Sequence, residues 1–332
     1  MIINYVIAHL FYLILDIIIK EYNIKLRYKK GCNNNMLKKY NFKNKSLLIF
    51  IATFLVCVLS GYSIYKNILP KVESKNISKA LDEYESGNDS KINNSNIEKK
   101  RTFDESTLTN DNRGVPVLYY HSVRDSNHNE VTISPQKLKN ELKYLKDQGY
   151  VTLTLSELSD YLLNNSPIPE KSIVITFDDG YMDNYQNAFP ILKELDMKAT
   201  IFCITSDLDG EYYLSKDAIK EMSDYGVDIQ SHTVNHSELN KLSYDEQLKQ
   251  LKESKKTLES ITGKSVFSIA YPYGKYNKDS IKAAKAAGYS LAFTTDRGLA
   301  DRDDSPLELN RIYINSNYTM ATFKQILSTT KK

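Results

Sequence analysis

From Val115 onward, short apolar runs alternate with amphipathic stretches, the pattern of strands alternating with helices. Strands are expected over Val115–Tyr120, Tyr150–Leu155, Ile173–Thr176, Ala199–Ile204, Val227–Gln230, Val266–Ala270 and Tyr289–Thr294. Helices are expected over Pro135–Gln148, Ser156–Leu163, Asn184–Leu195, Asp217–Tyr225, Ser243–Ile261 and Asp279–Ala287. Gly226, Gly263 and Gly288 stop three of these helices, and Ser156-Glu157-Leu158-Ser159 is a partial capping box. Repeated strand–helix alternation argues for an α/β fold with a parallel sheet, here closed as a barrel. Chemistry in such a fold belongs at the C-terminal ends of the strands, where Asp178, His232 and Tyr273 fall.

The upstream texture differs. Ser46–Tyr65 carries no charge, is mostly apolar, and follows Lys38, Lys39, Lys43 and Lys45. About 20 such residues fit one membrane crossing, and the lysines place its N-terminal side in the cytoplasm. A cleaved signal peptide is the alternative, but the apolar run is long for one. Ile2–Ile19, interrupted by His9 and Asp16, is either a second span or the product of an upstream start, with Met36 as the true first residue. Lys71–Arg113 is polar, with few large apolar residues, and reads as a solvated stalk. The expected division is an uncertain segment 1–35, a basic flank and anchor 36–69, a linker 70–113 and a folded domain 114–332. That domain would lie outside the cell, tied to its membrane.

Composition adds little. A net charge of +3 over 332 residues is too small to argue for a nucleic-acid partner. The 25 tyrosines suit a carbohydrate surface, although a general bias toward Tyr, Asn, Lys and Ile explains them equally well. The three cysteines, Cys32, Cys57 and Cys203, form no paired motif, which argues against a disulfide framework or a cysteine metal site. Cys203 lies in an apolar run and reads as a small buried hydrophobe.

Two segments carry chemistry: Thr176-Phe177-Asp178-Asp179-Gly180 and Ser231-His232-Thr233-Val234-Asn235-His236. Asp179, His232 and His236 supply one carboxylate and two imidazoles, a set suited to a divalent metal with open positions. Asp178 is a second carboxylate, free to handle a proton. The His-x-x-x-His spacing places both rings on one face of a helical turn. Each motif alone also reads as a cap, a turn or a pair of loop histidines. Their arrival at one sheet edge makes the chemical reading far more specific.

The stretch from Val115 to the C-terminus resembles the polysaccharide deacetylases of carbohydrate esterase family 4. Thr176–Gly180 matches the family's first motif and His232–His236 its second. The resemblance implies a distorted (β/α) barrel that removes acetyl groups from N-acetylated sugars, with Asp178 as general base and Asp179, His232 and His236 as metal ligands. Zinc is the implied ion, with cobalt, nickel or iron as alternatives. The third motif reads Ala270-Tyr271-Pro272-Tyr273-Gly274, without the arginine that braces the catalytic aspartate in the family. Arg311 is a candidate replacement. Tyr273 would contribute at the reacting carbonyl, and Tyr271, Pro272 and Arg311 would line the substrate. Val117–Ser122 and Ala270–Gly274 resemble the poly-N-acetylglucosamine branch, which implies His121 as general acid; no histidine follows His236. His128 reads as a loop residue. The implied partner is an N-acetylated polysaccharide, with peptidoglycan or chitin oligomers as alternatives, and the implied state is a monomer. A non-catalytic carbohydrate-binding module is disfavoured, because base, ligands and acid are all present.

Overall fold

The structure, a computed structural model, describes residues 101–125 and 129–331. The anchor, the earlier apolar stretch, Met36, most of the stalk, Cys32, Cys57 and His128 lie outside the described residues. Among the described residues, no helix is long and apolar enough to cross a membrane.

Eight strands form one parallel sheet: β1 Val117–Tyr120, β2 Val151–Thr152, β3 Ser172–Phe177, β4 Thr200–Cys203, β5 Asp228–Ser231, β6 Ser268–Ala270, β7 Leu291–Arg297 and β8 Leu309–Tyr313. Seven close a ring in the order β1-β8-β7-β6-β5-β4-β3, with β3 pairing back to β1. The short β2 pairs with Ser172 and Ile173 at the start of β3, and β4 takes over at Thr176 and Phe177. The expected barrel is therefore present but distorted at this corner.

The alternation of strand side chains sorts the core into two layers. Leu118, Tyr120, Ile173, Ile175, Phe177, Ile201, Ile229, Ile269 and Ile312 pack outward under the helices. Val117, Val174, Phe202, Ala270, Phe293 and Leu309 pack together in the second cluster, on the opposite parity. That parity continues to Asp178 beyond β3 and to Arg311 within β8, so the fold aims both into the barrel.

Among the described residues, seven α-helices cover the strands: α1 Pro135–Asp147, α2 Leu155–Asn164, α3 Phe189–Leu195, α4 Lys216–Tyr225, α5 Tyr244–Thr262, α6 Lys278–Ala286 and α7 Met320–Thr329. Ser134, Ser215 and Ser243 cap the first turns of α1, α4 and α5. The capping box of α2 is Thr154 with Glu157, two residues earlier than the serine expected from sequence. The expected helix Asn184–Leu195 is two elements, a π-helical turn Asn184–Ala188 leading into α3.

Residues 101–113, expected to end the stalk, pack on the domain. Arg101 donates to both Glu157 carboxylate oxygens at 3.1 and 2.9 Å, and Leu108–Thr109 pairs with Ile168–Pro169. Cys203 is buried, as expected.

Candidate active site

Asp178 follows β3 and is 3% exposed; Arg311, on β8, is fully buried. The guanidinium forks onto the carboxylate, Nη1 to Oδ1 at 2.7 Å and Nη2 to Oδ2 at 2.8 Å. Arg311 Nε donates to the Thr294 carbonyl at 3.0 Å, and the guanidinium lies 4.2 Å from the Tyr119 ring centre. Burial opposes ionisation of Asp178, but the charge and hydrogen bonds of Arg311 prevail and hold it below the usual carboxylate range. Arg311 thus braces Asp178. Its expected place on the substrate is corrected: both Nη atoms and Nε are spent inside the barrel.

Asp179 turns the other way. Its φ of +72° breaks the strand parity and swings its carboxylate toward the second motif. Gly180 must follow, since φ is +76° and a Cβ would sit 3.1 Å from Cys203 Sγ. Asp179 Oδ1 lies 3.4 Å from both His232 Nε2 and His236 Nε2, and the two nitrogens are 3.1 Å apart. His232 Nδ1 is 2.7 Å from the Ala270 carbonyl, which only accepts, so Nδ1 carries a proton and Nε2 faces the cluster.

The His232–His236 segment is not helical, as the spacing had suggested. Thr233 and His236 have φ of +69° and +56°, and the segment is a turn. Gln250 Oε1 on α5 accepts from Val234 N–H and Asn235 N–H at 3.0 and 3.2 Å, and Thr233 Oγ1 accepts from His236 N–H at 3.1 Å. Of seven described non-glycine residues with positive φ, four (Asp179, Thr233, His236 and Tyr273) lie in these loops. Strain of this kind persists where surrounding contacts over-determine it, and it concentrates at functional sites.

The residues fit a divalent cation. Asp179 Oδ1 is buried without a hydrogen-bond partner, and two imidazole nitrogens converge on it. Without a cation they would face one another as lone pairs or share a single proton. Burial and the neighbouring His232 push His236 down to about 4, which favours the neutral, ligating ring.

His121 follows β1, and Asp178 N–H donates to the Tyr120 carbonyl at 2.9 Å, which brings the two segments together. Its Nδ1 is buried without a partner. Burial lowers its pKa from the ordinary value, against the raising influence of Asp178 and Asp179.

Tyr273 is 59% exposed, and its ring centre lies 4.3 Å from that of His236. Its turn is held by Gly274 N–H and Lys275 N–H, which leaves the Tyr273 N–H out of the turn's hydrogen bonds. Gly274 allows this turn, since φ is +64° and a Cβ would overlap Thr295 Oγ1. Tyr271 and Pro272, expected on the substrate, are buried and are corrected here. Tyr271 shares the outward parity of Ile269; its hydroxyl donates to the Leu307 carbonyl at 3.1 Å and its ring stacks on Tyr276. Sequence reasoning missed Gln250 and Thr294. Neither carries a motif, because one acts from mid-helix and the other through its backbone.

A parallel barrel with an Asp–His–His cluster and a braced second aspartate at its C-terminal edge defines a hydrolase-type centre. A family model described as "Polysaccharide deacetylase" matches residues 165–292. The Bacillus subtilis protein YxkH, which carries the polysaccharide deacetylase name, is 37% identical over 217 residues, covering 65% of this chain and 77% of that protein. A poly-beta-1,6-N-acetyl-D-glucosamine N-deacetylase of Staphylococcus aureus is 30% identical over 228 residues, 60% of this chain and 78% of that enzyme. The solved Streptococcus pyogenes deacetylase PplD, in complex with acetate, superposes with a TM-score of 0.63 at 33% identity, covering 67% of this chain and 100% of that one. The chain belongs to the polysaccharide deacetylase family and is a deacetylating hydrolase.

Proposed function

We propose that this chain removes N-acetyl groups from N-acetylglucosamine units of an extracellular polysaccharide of the poly-N-acetylglucosamine type. The reading rests most on one observation: a buried, ion-paired Asp178 stands next in sequence to Asp179, whose unpartnered oxygen meets two histidines. The kinship with the Staphylococcus aureus enzyme supports the choice of polymer.

Asp179, His232 and His236 would hold a divalent ion, with zinc favoured by the nitrogen-rich set. Held there, such an ion would polarise the amide carbonyl and make the attacking water more acidic. Asp178, ionised and held in place by Arg311, takes the water's proton. Its two oxygens offer about four lone-pair sites, so the arginine fork leaves room for one more donor. The Tyr273 N–H, unused by its turn, would donate to the developing oxyanion. His121 in its protonated form donates to the sugar nitrogen as the C–N bond breaks. Water supplies the hydroxyl of acetic acid, and the products are acetate and a glucosamine unit. Every group comes from one chain, so a monomer suffices.

Acetate release from poly-β-1,6-N-acetylglucosamine, peptidoglycan and chitin oligomers tests the reading. The first should be the preferred substrate by kcat/KM. Preference for either of the others would reassign the glycan, and no release from any would overturn the activity. The uncharged span Ser46–Tyr65 behind its lysines supports a membrane anchor with the domain outside. Protease added to intact cells should then cleave beyond about Pro70; cleavage only after lysis would reverse the topology.

A further inference from the structure

His121 has no side-chain anchor of its own. Its Nδ1 is unpartnered, and its nearest ring neighbours, Tyr119 and Tyr313, are 5.9 and 6.3 Å away between centroids. Its position must come from its backbone. Ser122–Val123 pairs along one edge with Thr132–Ile133, and the side chains of one short element hold the other. Asn184 Nδ2 donates to the His121 carbonyl at 2.7 Å. Asp183 Oδ2 accepts from Ser122 Oγ at 2.5 Å, and its Oδ1 accepts from Val123 N–H at 2.9 Å. Asn187 Nδ2 donates to the Val123 carbonyl at 2.7 Å. The second contact of Asn184 Nδ2, Asp183 Oδ1 at 3.3 Å, is also an acceptor, so the orientation of the amide is fixed.

We propose that Asp183, Asn184 and Asn187 are positioning residues that set His121 against the scissile amide; the inference rests on the reading of His121 as the acid. Asp183 is 8% exposed and Asn184 fully buried, so these bonds form away from competing water. The three residues sit at positions i, i+1 and i+4 along the start of the π-helical turn, which presents them together to one strand end. A π turn is an uncommon conformation that recurs beside functional sites. On the other side of His121, the Tyr120 carbonyl is tied to Asp178 N–H. The segment carrying the acid is thus fixed before His121 by the base's own N–H, and after it by strand pairing to Thr132–Ile133 and by the side-chain clamp.

The full chain with its metal tests this. Asn184→Ala and Asn187→Ala are compared with wild type on an N-acetylglucosamine oligomer and on 4-nitrophenyl acetate, whose leaving group departs without a proton. With the clamp loosened, kcat on the oligomer should fall about ten- to a hundredfold, the scale of a misplaced catalytic group. KM should stay within about twofold, and the loss on the aryl ester should be at least about tenfold smaller. In a His121→Ala background, adding Asn184→Ala should cost far less than it does alone. Equal losses on both substrates, or fully additive losses, would assign the turn a merely structural role and overturn the proposal. If wild type deacetylates no glycan, the functional reading fails by itself. The clamp is then judged by amide exchange, which should accelerate at Val123 in Asp183→Ala, where its acceptor is removed, while core amides such as Ile175 hold. Unchanged exchange at Val123 would refute it.

Discussion

Arg311 reaches Asp178 from 133 residues away and covers both of its carboxylate oxygens, at 2.7 and 2.8 Å, inside the barrel. Each charge lacks water, and each is tolerable only because the other is there. Arg311→Ala should therefore cost about 3–5 kcal/mol of stability, the scale for breaking a buried pair. Urea unfolding measures it. Adding Asp178→Asn should recover much of that loss, since the uncompensated charge is gone. Arg311→Lys keeps a charge but not the fork, and should lower kcat with little change in KM. A stable Arg311→Ala enzyme with wild-type kcat would show that the pair does not brace the base.

The proposed metal dependence rests on Asp179, His232 and His236. Chelation should abolish acetate release, and zinc or another divalent ion should restore it. His236→Ala should lose metal content in elemental analysis, whereas Asp178→Asn should retain it and lose turnover. A fully metallated, fully active His236→Ala protein would exclude this triad as the site.

Glu141 offers a stability test remote from the chemistry. It is fully buried on α1 and accepts a hydrogen bond from Tyr120 Oη at 3.1 Å. Burial outweighs the attraction of Lys137 and raises its pKa to about 7. The folded state therefore binds a proton that the unfolded chain, near 4.5, has lost. Stability from this group is full below the unfolded value and declines as pH rises through about 7, by at most about 3 kcal/mol. In Glu141→Gln that decline should be absent. Chemical denaturation at pH 5 and pH 8 decides it, and an equal pH slope in both proteins would rule the group out.

Much of the barrel was legible, because buried parallel strands read as short apolar runs between amphipathic helices. β8 was not read as a strand. Asn310 and Arg311 interrupt Leu309 and Ile312, and a buried arginine looks polar in sequence although it serves the barrel interior. The metal triad was legible from residue type. Its conformation was not: left-handed backbone at Thr233 and His236 has no composition signal in residues that usually avoid it. Tyr271 misled because a tyrosine suits a sugar surface and a core alike; only strand parity, counted from Ile269, turns it toward the helices. The braced aspartate needed the closed barrel, inside which Arg311 on β8 reaches past β1 to the residue that follows β3, a relationship that no local motif carries.

The dependence of rate on pH tests the division of labour between Asp178 and His121. Asp178 must be ionised to act as base, and Arg311 keeps it so below the usual carboxylate range. Protonation of Asp178 should then not limit the rate at mildly acid pH. His121 must carry its proton to act as acid. Burial disfavours its charged form, and the raising effect of Asp178 and Asp179 offsets this only in part. Its proton is therefore lost at lower pH than from an ordinary histidine near 6.5. In the free enzyme kcat/KM should fall as pH rises through that lowered value, so activity should decline on the alkaline side of a mildly acid optimum. His121→Ala should lower kcat by about 10²–10⁴ and flatten the alkaline limb, because the group that titrated there is gone. An alkaline limb that persists unchanged in His121→Ala, with near wild-type kcat, would remove His121 from the proton inventory and leave the amine to be protonated by another donor.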